Sequence, residues 1–522
     1  MSLVLCAPPS KFLTFDSQNH GNSISLIFLM SNTAIRSSIF WSVVALLLTY
    51  IAYRAYALSF TIDEAMSYNY VLGIWEDDLR ANDHWLNTFL MRVSKGLFGP
   101  WEWSLRLPNV LSFLLYGAAV FSMLRRVKSN VLFYAATAIL LFQPTYLEFF
   151  SLARGYGLGV AFFAFGFALL VSLTDGRELS EARRSWRYMG VIAMGALVFF
   201  SYISALNVVL MLMGLAILHA IVKWKPKRKA TKRVTLMWMV TFAVGSTLQA
   251  ARLLLELKED GELFIGTNTF AQWADDTFSY YFPRELNRIE LLLRTATVVA
   301  AILMVIGGGV RWYRQKKVPA ILGLSILIGL GSLFGWFIQH KFMGANLPQD
   351  RTTMIYFFLF ATGLVGASKL VVEEERLHMA GLSTAVVLGV LSIWNAAAQF
   401  NVERTRIWPN SQKMKQAVLT ADSFARHWHE PVHAERHYFF LSNLNYYFRT
   451  RSNHIVVDEK VGIQLEAELL FVHTEDFKYA FDYPDLIEQY ERVATYPGDI
   501  ALYVRKDVYD HAMKTGEVVI YE

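Results

Sequence analysis

Apolar runs of about twenty residues recur along most of the chain, separated by short polar stretches. They cover residues 37–58, 107–124, 131–149, 155–173, 188–202, 204–222, 234–255, 289–310, 318–338, 352–370 and 379–398. A helix rises about 1.5 Å per residue, so about 20 apolar residues cross a hydrocarbon core of about 30 Å. The pattern predicts a polytopic α-helical membrane protein with about eleven transmembrane helices. The stretch 188–222 is too long for one crossing and breaks near Ser201-Tyr202-Ile203. Beyond residue 398 the pattern changes. Short β-rich runs, HYFFL (437–441), HIVVD (454–458), ELLFV (468–472), ALYV (501–504) and EVVIY (517–521), are separated by charged and turn-forming segments. They predict a small α/β domain. The chain therefore divides into an N-terminal segment (1–36), a transmembrane domain (37–398) and a C-terminal α/β domain (399–522).

Composition sharpens this. The 522 residues are 54% hydrophobic and only 18% charged, against about 25% charged in soluble domains, which excludes an ordinary soluble fold. Cys6 is the single cysteine, so no internal disulfide can form. The net charge of +6 would suit a nucleic-acid binder, but the basic residues cluster in loops between alternate pairs of spans: Arg125, Arg126 and Lys128; Arg177, Arg183, Arg184 and Arg187; KWKPKRKATKR (223–233); RWYRQKK (311–317). Short Lys/Arg-rich loops stay in the cytoplasm. With residues 1–36 inside, all four clusters fall on the cytoplasmic side, and the charge reports topology rather than a nucleic-acid partner. The segments 59–106, 150–154, 256–288, 339–351 and everything after 399 are then extracytoplasmic. No basic region precedes a cleavable apolar core, so no signal peptide is expected. SNTAIRSSIFW after Met30 reads as an ordinary start ahead of the first span, which leaves Met1 and Met30 as alternative starts.

The chemistry-bearing residues fall in the extracytoplasmic segments. In FTIDEAMSYNYV (60–71), Thr61 and Glu64 have capping-box spacing. If Glu64 turns back to the cap, the adjacent Asp63 points elsewhere and is the acid left for chemistry. In NDHWLNTFLMRV (82–93), His84 has an ordinary pKa near 6.5 and can bind an anion or shuttle a proton; Asn82 or Asp83 can equally cap a helix. Arg106 in SLRLPNVL (104–111) reads as an interfacial anchor. PTYLEFFSLARGYGLGV (144–160) holds Glu148 and Arg154 at the two ends of a tight turn. They form either a mutual ion pair or a second carboxylate and a phosphate-binding guanidinium. IQHKFMGANLPQDRTTMIYFF (338–358) brings His340, Lys341 and Arg351 to a membrane boundary, as anchors or as an anion site. Acids and cations from four loops on one membrane face suggest transfer from a lipid-linked phosphate donor. Phosphate-loop, HExxH, CxxC and GxSxG motifs are absent from the sequence. His427, His429, His433 and His437 have metal-like density, but in a polar, Pro-containing, cysteine-free stretch they read as an exposed loop.

The Asp-Glu pair after the first span, the Asn/His-rich stretch leading into a helix, RLPNVL at the second span and ARGYGLG after the third resemble the integral membrane glycosyltransferases of GT-C fold that use polyprenyl-phosphate sugars. The protein mannosyltransferase and aminoarabinose transferase types are the most similar. The resemblance covers roughly residues 37–370. It implies that Asp63 is the catalytic loop acid, with Glu64 beside it and Glu148 as a second acid. It further maps a late arginine onto Arg351; with Arg154, His340 and Lys341 from the loop reading, these are the expected donor-phosphate ligands, and Asn82, His84, Asn87 and Tyr156 are the expected substrate contacts. The implied reaction is inverting sugar transfer from a polyprenyl-phosphate donor to an acceptor hydroxyl on a glycan, lipid or protein, at the extracytoplasmic face of a bacterial inner or plasma membrane. No cofactor is implied with certainty; a divalent metal could replace one cation. The 399–522 domain has no counterpart in this resemblance. A lipid-linked sugar flippase or transporter is the rival reading, with a membrane scaffold as the third. A flippase would carry ionisable residues deep inside its spans, and here the spans are nearly free of them.

Overall fold

The computed structural model describes residues 32–74, 84–175, 178–260, 267, 269–281, 288–315, 318–457, 462–474 and 484–521. The helices are α1 Asn32–Ala57, α2 Ile62–Leu72, α3 Trp85–Phe98, α4 Glu102–Leu124, α5 Asn130–Leu141, α6 Pro144–Phe150, α7 Gly155–Thr174, α8 Glu181–Ser201, α9 Leu206–Lys223, α10 Lys229–Glu259, α11 Phe270–Tyr281, α12 Arg288–Gln315, α13 Ala320–Met343, α14 Met354–Val372 and α15 His378–Gln399. Among the described residues eight helices are long and apolar enough to cross a membrane, or nine if α5 and α6 count as one bent span. The 131–149 run, read as one span, is bent by 56° between α5 and α6. Pro144 stands at the start of α6, where it lacks an N–H that a continuous helix would use. α8 occupies the expected fifth span, but its first two turns carry Glu181, Arg183, Arg184 and Arg187, which dilute its hydropathy. The membrane domain is polytopic and α-helical.

α7 is the hub, packed on α4 and α8 and largely buried, Phe163, Phe167, Val160 and Leu170 included. The outer faces of α1, α10 and α13 instead expose Leu46, Leu248, Leu330 and Phe334, as helices that meet lipid do. Between α1 and α4 the chain forms α2 and α3, both short of a crossing.

The C-terminal domain is a five-stranded sheet built from β1 Val432–Arg436, β2 Ile455–Val457, β3 Leu469–His473, β4 Tyr490–Tyr496 and β5 Ile500–Arg505, in the order β2-β1-β3-β5-β4. β1 runs parallel to β2 and β3; β5 is antiparallel to β3 and β4. Helices α16 Met414–Ala425, α17 Leu441–Arg451, α18 Pro484–Gln489 and α19 Lys506–Thr515 complete it. Runs 454–458, 468–472 and 501–504 coincide with β2, β3 and β5. Two do not form strands: 437–441 is a 3₁₀ turn leading into α17, and 517–521 forms none. That last run lies along α16 instead, the Tyr521 amide donating to Thr420 Oγ1 at 3.0 Å and Ser423 Oγ to the Val519 carbonyl at 3.0 Å. The histidine-rich stretch is not simply a loop, because β1 runs through His433.

This domain shares a hydrophobic core with the segment after α1. Phe60, Ala65, Tyr68, Met91, Leu105 and Ala153 pack in one cluster with Tyr446, Tyr447, Phe448 and Leu444. Phe60 stacks on Tyr446 at 4.2 Å, and the Phe60 amide donates to Tyr447 Oη at 2.6 Å. Glu102, at the start of α4, takes Arg451 at 2.5 Å and Lys415 at 3.2 Å. Helix α17 of this domain therefore braces α2 from outside the bundle.

Candidate active site around Asp63

The site begins with a cap. Thr61 Oγ1 accepts from the Glu64 amide at 3.3 Å and Glu64 Oε2 accepts from the Thr61 amide at 2.9 Å, so both halves of the capping box are present. Glu64 does more. Its carboxylate takes Arg106 Nε and Nη2, each at 2.7 Å, and the Ala153 amide at 2.6 Å. Arg106 gives its remaining donors to the carbonyls of Ala55, Leu58 and Ser59. Both side chains are wholly buried. Arg106 is thus no interfacial anchor; it ties the end of α1, the start of α2 and α4 together. Glu64 has four donors on its two oxygens and faces no open space for a substrate proton.

Asp63 turns the other way. Its Oδ2 lies 3.3 Å from Arg154 Nη2 and 3.2 Å from Arg351 Nη2. Arg154, wholly buried, also donates to the Asp63 carbonyl and to Ser67 Oγ, both at 3.0 Å. Arg351 donates through Nε to Tyr156 Oη at 3.2 Å, and its guanidinium sits 5.8 Å from the Tyr156 ring and 5.3 Å from the Trp408 ring, within cation–π range. The Asp63 side chain is 10% exposed and that of Arg351 23%, while Arg154 is closed off. Of the three charged side chains, Arg351 is the one most accessible to a ligand.

The turn that places Arg154 depends on close backbone approach. A Cβ on Gly155 would lie 1.8 Å from the Ser201 carbonyl oxygen, and one on Gly157 would lie 2.7 Å from the Phe149 carbonyl oxygen. ARGYGLG is thus a packing motif as much as a chemical one, letting α7 meet the ends of α6 and α8.

The other predicted residues divide. His84 is buried against Tyr156, ring centroids 4.8 Å apart. Burial, with Arg154 and Arg351 nearby, holds it well below its ordinary pKa; the Ser201 carbonyl opposes this only in part. It is a neutral imidazole at neutral pH, not a cation for phosphate. Asn87 is a brace, donating to the Ala153 carbonyl at 2.9 Å and accepting from Asn109 at 2.8 Å. Glu148 does not pair with Arg154: it lies 3.6 Å from Arg54 and accepts from the Arg406 amide at 2.9 Å. His340 bonds the Ala345 carbonyl at 2.8 Å at the end of α13, and Lys341 beside it is exposed; no contact joins either to Asp63 among the described residues. Asn82 lies outside the described residues. Ser67 and Trp408 were not anticipated, and Arg106 was expected only as an anchor. Ser67 was legible as the residue one helical turn after Asp63; Trp408, 345 positions away in sequence, gave no signal. Among the described residues no three His, Cys, Asp or Glu side chains converge to hold a metal.

The fold is GT-C-like. The chain is similar over 91% of its length to ArnT from Cupriavidus metallidurans bound to undecaprenyl phosphate, at 12% identity, 98% coverage of that chain and a TM-score of 0.51. The apo ArnT structure has the same coverage and identity with a TM-score of 0.49. No protein-family model and no curated protein matches the chain.

Proposed function

We propose that this chain is an inverting glycosyltransferase that moves a sugar from a polyprenyl phosphate to an acceptor hydroxyl, at the extracytoplasmic face of the membrane. The observation that carries the reading is one carboxylate oxygen, Asp63 Oδ2, held between two guanidiniums, of which Arg351 is the more exposed. Arginine matches phosphate bidentately. A donor phosphate at this site draws Arg351 and Arg154 toward its own oxygens and leaves Asp63 Oδ2 open to the acceptor. Asp63 then takes the hydroxyl proton as general base. The acceptor oxygen bonds to the anomeric carbon from the face opposite the phosphate, the carbon–oxygen bond to phosphate breaks, and the electron pair leaves on the phosphate beside the guanidiniums. Neutral His84 and Tyr156, in ring contact beside this cluster, are suited to hydrogen-bonding sugar hydroxyls. Glu64 and Glu148 take no proton in this scheme.

The test is transfer by the purified chain in liposomes, with a panel of undecaprenyl-phosphate hexoses and pentoses as donors and membrane extract as acceptor. Released undecaprenyl phosphate is measured by mass spectrometry. Asp63→Asn should slow acceptor-dependent release by at least about 100-fold while the protein still binds undecaprenyl phosphate. Wild-type rates in Asp63→Asn would sink the proposal. Movement of the intact sugar lipid across the bilayer without transfer would favour a flippase.

A further inference from the structure

A polar cavity lies away from Asp63. It measures about 450 Å³, within the range of about 300–1,000 Å³ usual for ligand sites. Its walls are the last turns of α1 (Tyr50, Arg54), α6 (Glu148), the end of α15 (Gln399) and the connection that follows, including Asn401, Arg404 and Arg406. Three arginines and one carboxylate, Glu148, line it. Arg54 is already spent: it pairs with Glu148, donates to Ser151 Oγ at 3.0 Å and bonds the Asn401 and Arg404 carbonyls. Arg406 stacks over the Tyr280 ring at 4.9 Å. The Arg404 guanidinium is exposed and has no hydrogen-bond or ion-pair partner among the described residues.

The cavity continues onto apolar helix faces. Leu46 on α1 lies one turn before Tyr50 and is 67% exposed; Val390 and Trp394 on α15 lie two turns and one turn before Ala398, another wall residue, and are also exposed. α1 and α15 both pack on α5 and α6. Exposed apolar residues of both helices thus lie within one or two turns of the arginine-lined cavity. We propose that this cavity binds the phosphate of an anionic membrane lipid, with the acyl chains along α1 and α15 and Arg404 as the principal phosphate ligand. The shared chemistry is a phosphate oxyanion, and the apolar approach assigns it to a lipid rather than to free phosphate. The site is distinct from the Asp63 cluster. The 405–408 turn separates them, with Trp408 against Arg351 on one side and the Arg406 amide on Glu148 on the other. The inference goes beyond the transfer reaction and does not depend on it.

Native mass spectrometry of the purified full-length chain in neutral detergent tests this, with dimyristoyl phosphatidylglycerol and dimyristoyl phosphatidylcholine as probes. The wild type should retain one phosphatidylglycerol in clear preference to phosphatidylcholine. Arg404→Gln should weaken that step about tenfold with an unchanged melting curve, Arg404→Lys should stay closer to wild type, and Asp63→Asn should bind as wild type does. Wild-type phosphatidylglycerol affinity in Arg404→Gln, or displacement of the lipid by inorganic phosphate at equal concentration, would overturn the assignment.

Discussion

The two adjacent acids, Asp63 and Glu64, should separate cleanly under mutation, and the structure says by how much. Glu64→Ala strips Arg106 of two charge-assisted hydrogen bonds in a pair whose side chains are both wholly buried. Leaving one member of a buried pair alone costs about 3–5 kcal/mol. Loss of the reciprocal cap at Thr61 adds about 1 kcal/mol. The sum, about 4–6 kcal/mol, is a large share of the ~5–15 kcal/mol that holds a typical fold. Glu64→Gln keeps the shape, but its amide nitrogen must face one of the Arg106, Thr61 or Ala153 donors, so a loss of about 3 kcal/mol is expected. Arg106→Met alone should be as costly as Glu64→Ala. The double substitution should cost less than the two singles together, since it removes both charges. Unfolding followed by tryptophan fluorescence in detergent is the assay, with 14 tryptophans as reporters. Asp63→Asn should cost less than Glu64→Ala, because Asp63 and Arg351 retain some access to water, although buried Arg154 loses the carboxylate it faces. The reasoning fails if Glu64→Gln unfolds with the wild type yet abolishes transfer, for then Glu64 is a reacting group and not a structural one.

Two further outcomes follow from the same geometry. His84 is held neutral in the fold by burial and by Arg154 and Arg351, and its pKa lies well below the ordinary 6.5. The unfolded chain then binds the extra proton first, so the stability tied to His84 is whole above about pH 6.5 and declines as pH falls from there toward the folded-state pKa. Melting curves between pH 7.5 and 5 should fall less steeply in His84→Gln than in the wild type, and identical slopes would remove the histidine from the account (the pH limits are roughly set by the ordinary histidine pKa). Gly155→Ala places a methyl carbon 1.8 Å from the Ser201 carbonyl. It should reduce folded yield in size-exclusion profiles far more than Gly214→Ala, where nothing lies within 4 Å; equal yields would mean that α7 can shift without loss.

What could be read in advance follows the range of the forces involved. Span lengths depend on local hydropathy and emerged as helices near the expected places. The capping box depends on residues three apart and was legible for the same reason, and with it the prospect that Asp63 faces another way. A Glu148–Arg154 ion pair, one of the two readings that nearness in sequence allowed, gives neither residue its partner. Glu148 meets Arg54 and Arg154 meets Asp63, because an α6–α7 turn of a few residues directs its two ends into different gaps between helices. The strands missed in the C-terminal domain fail for a related reason. β1 carries Glu435 and Arg436, both buried, so it does not alternate like a half-exposed strand. The Glu435 carboxylate is accommodated only because it accepts the amides of Gln464, Leu465, Glu466 and Ala467, a loop some thirty positions later. The candidate site shows the same logic at its extreme. Asp63 and Arg351 are 288 residues apart, and no local pattern links them. What the sequence offered was a set of charges on segments that had to end at the same face of a bilayer. A membrane makes that inference stronger than it would be in a soluble chain, because a charge expelled from hydrocarbon has only two faces on which to lie, and the partners on each face are then few.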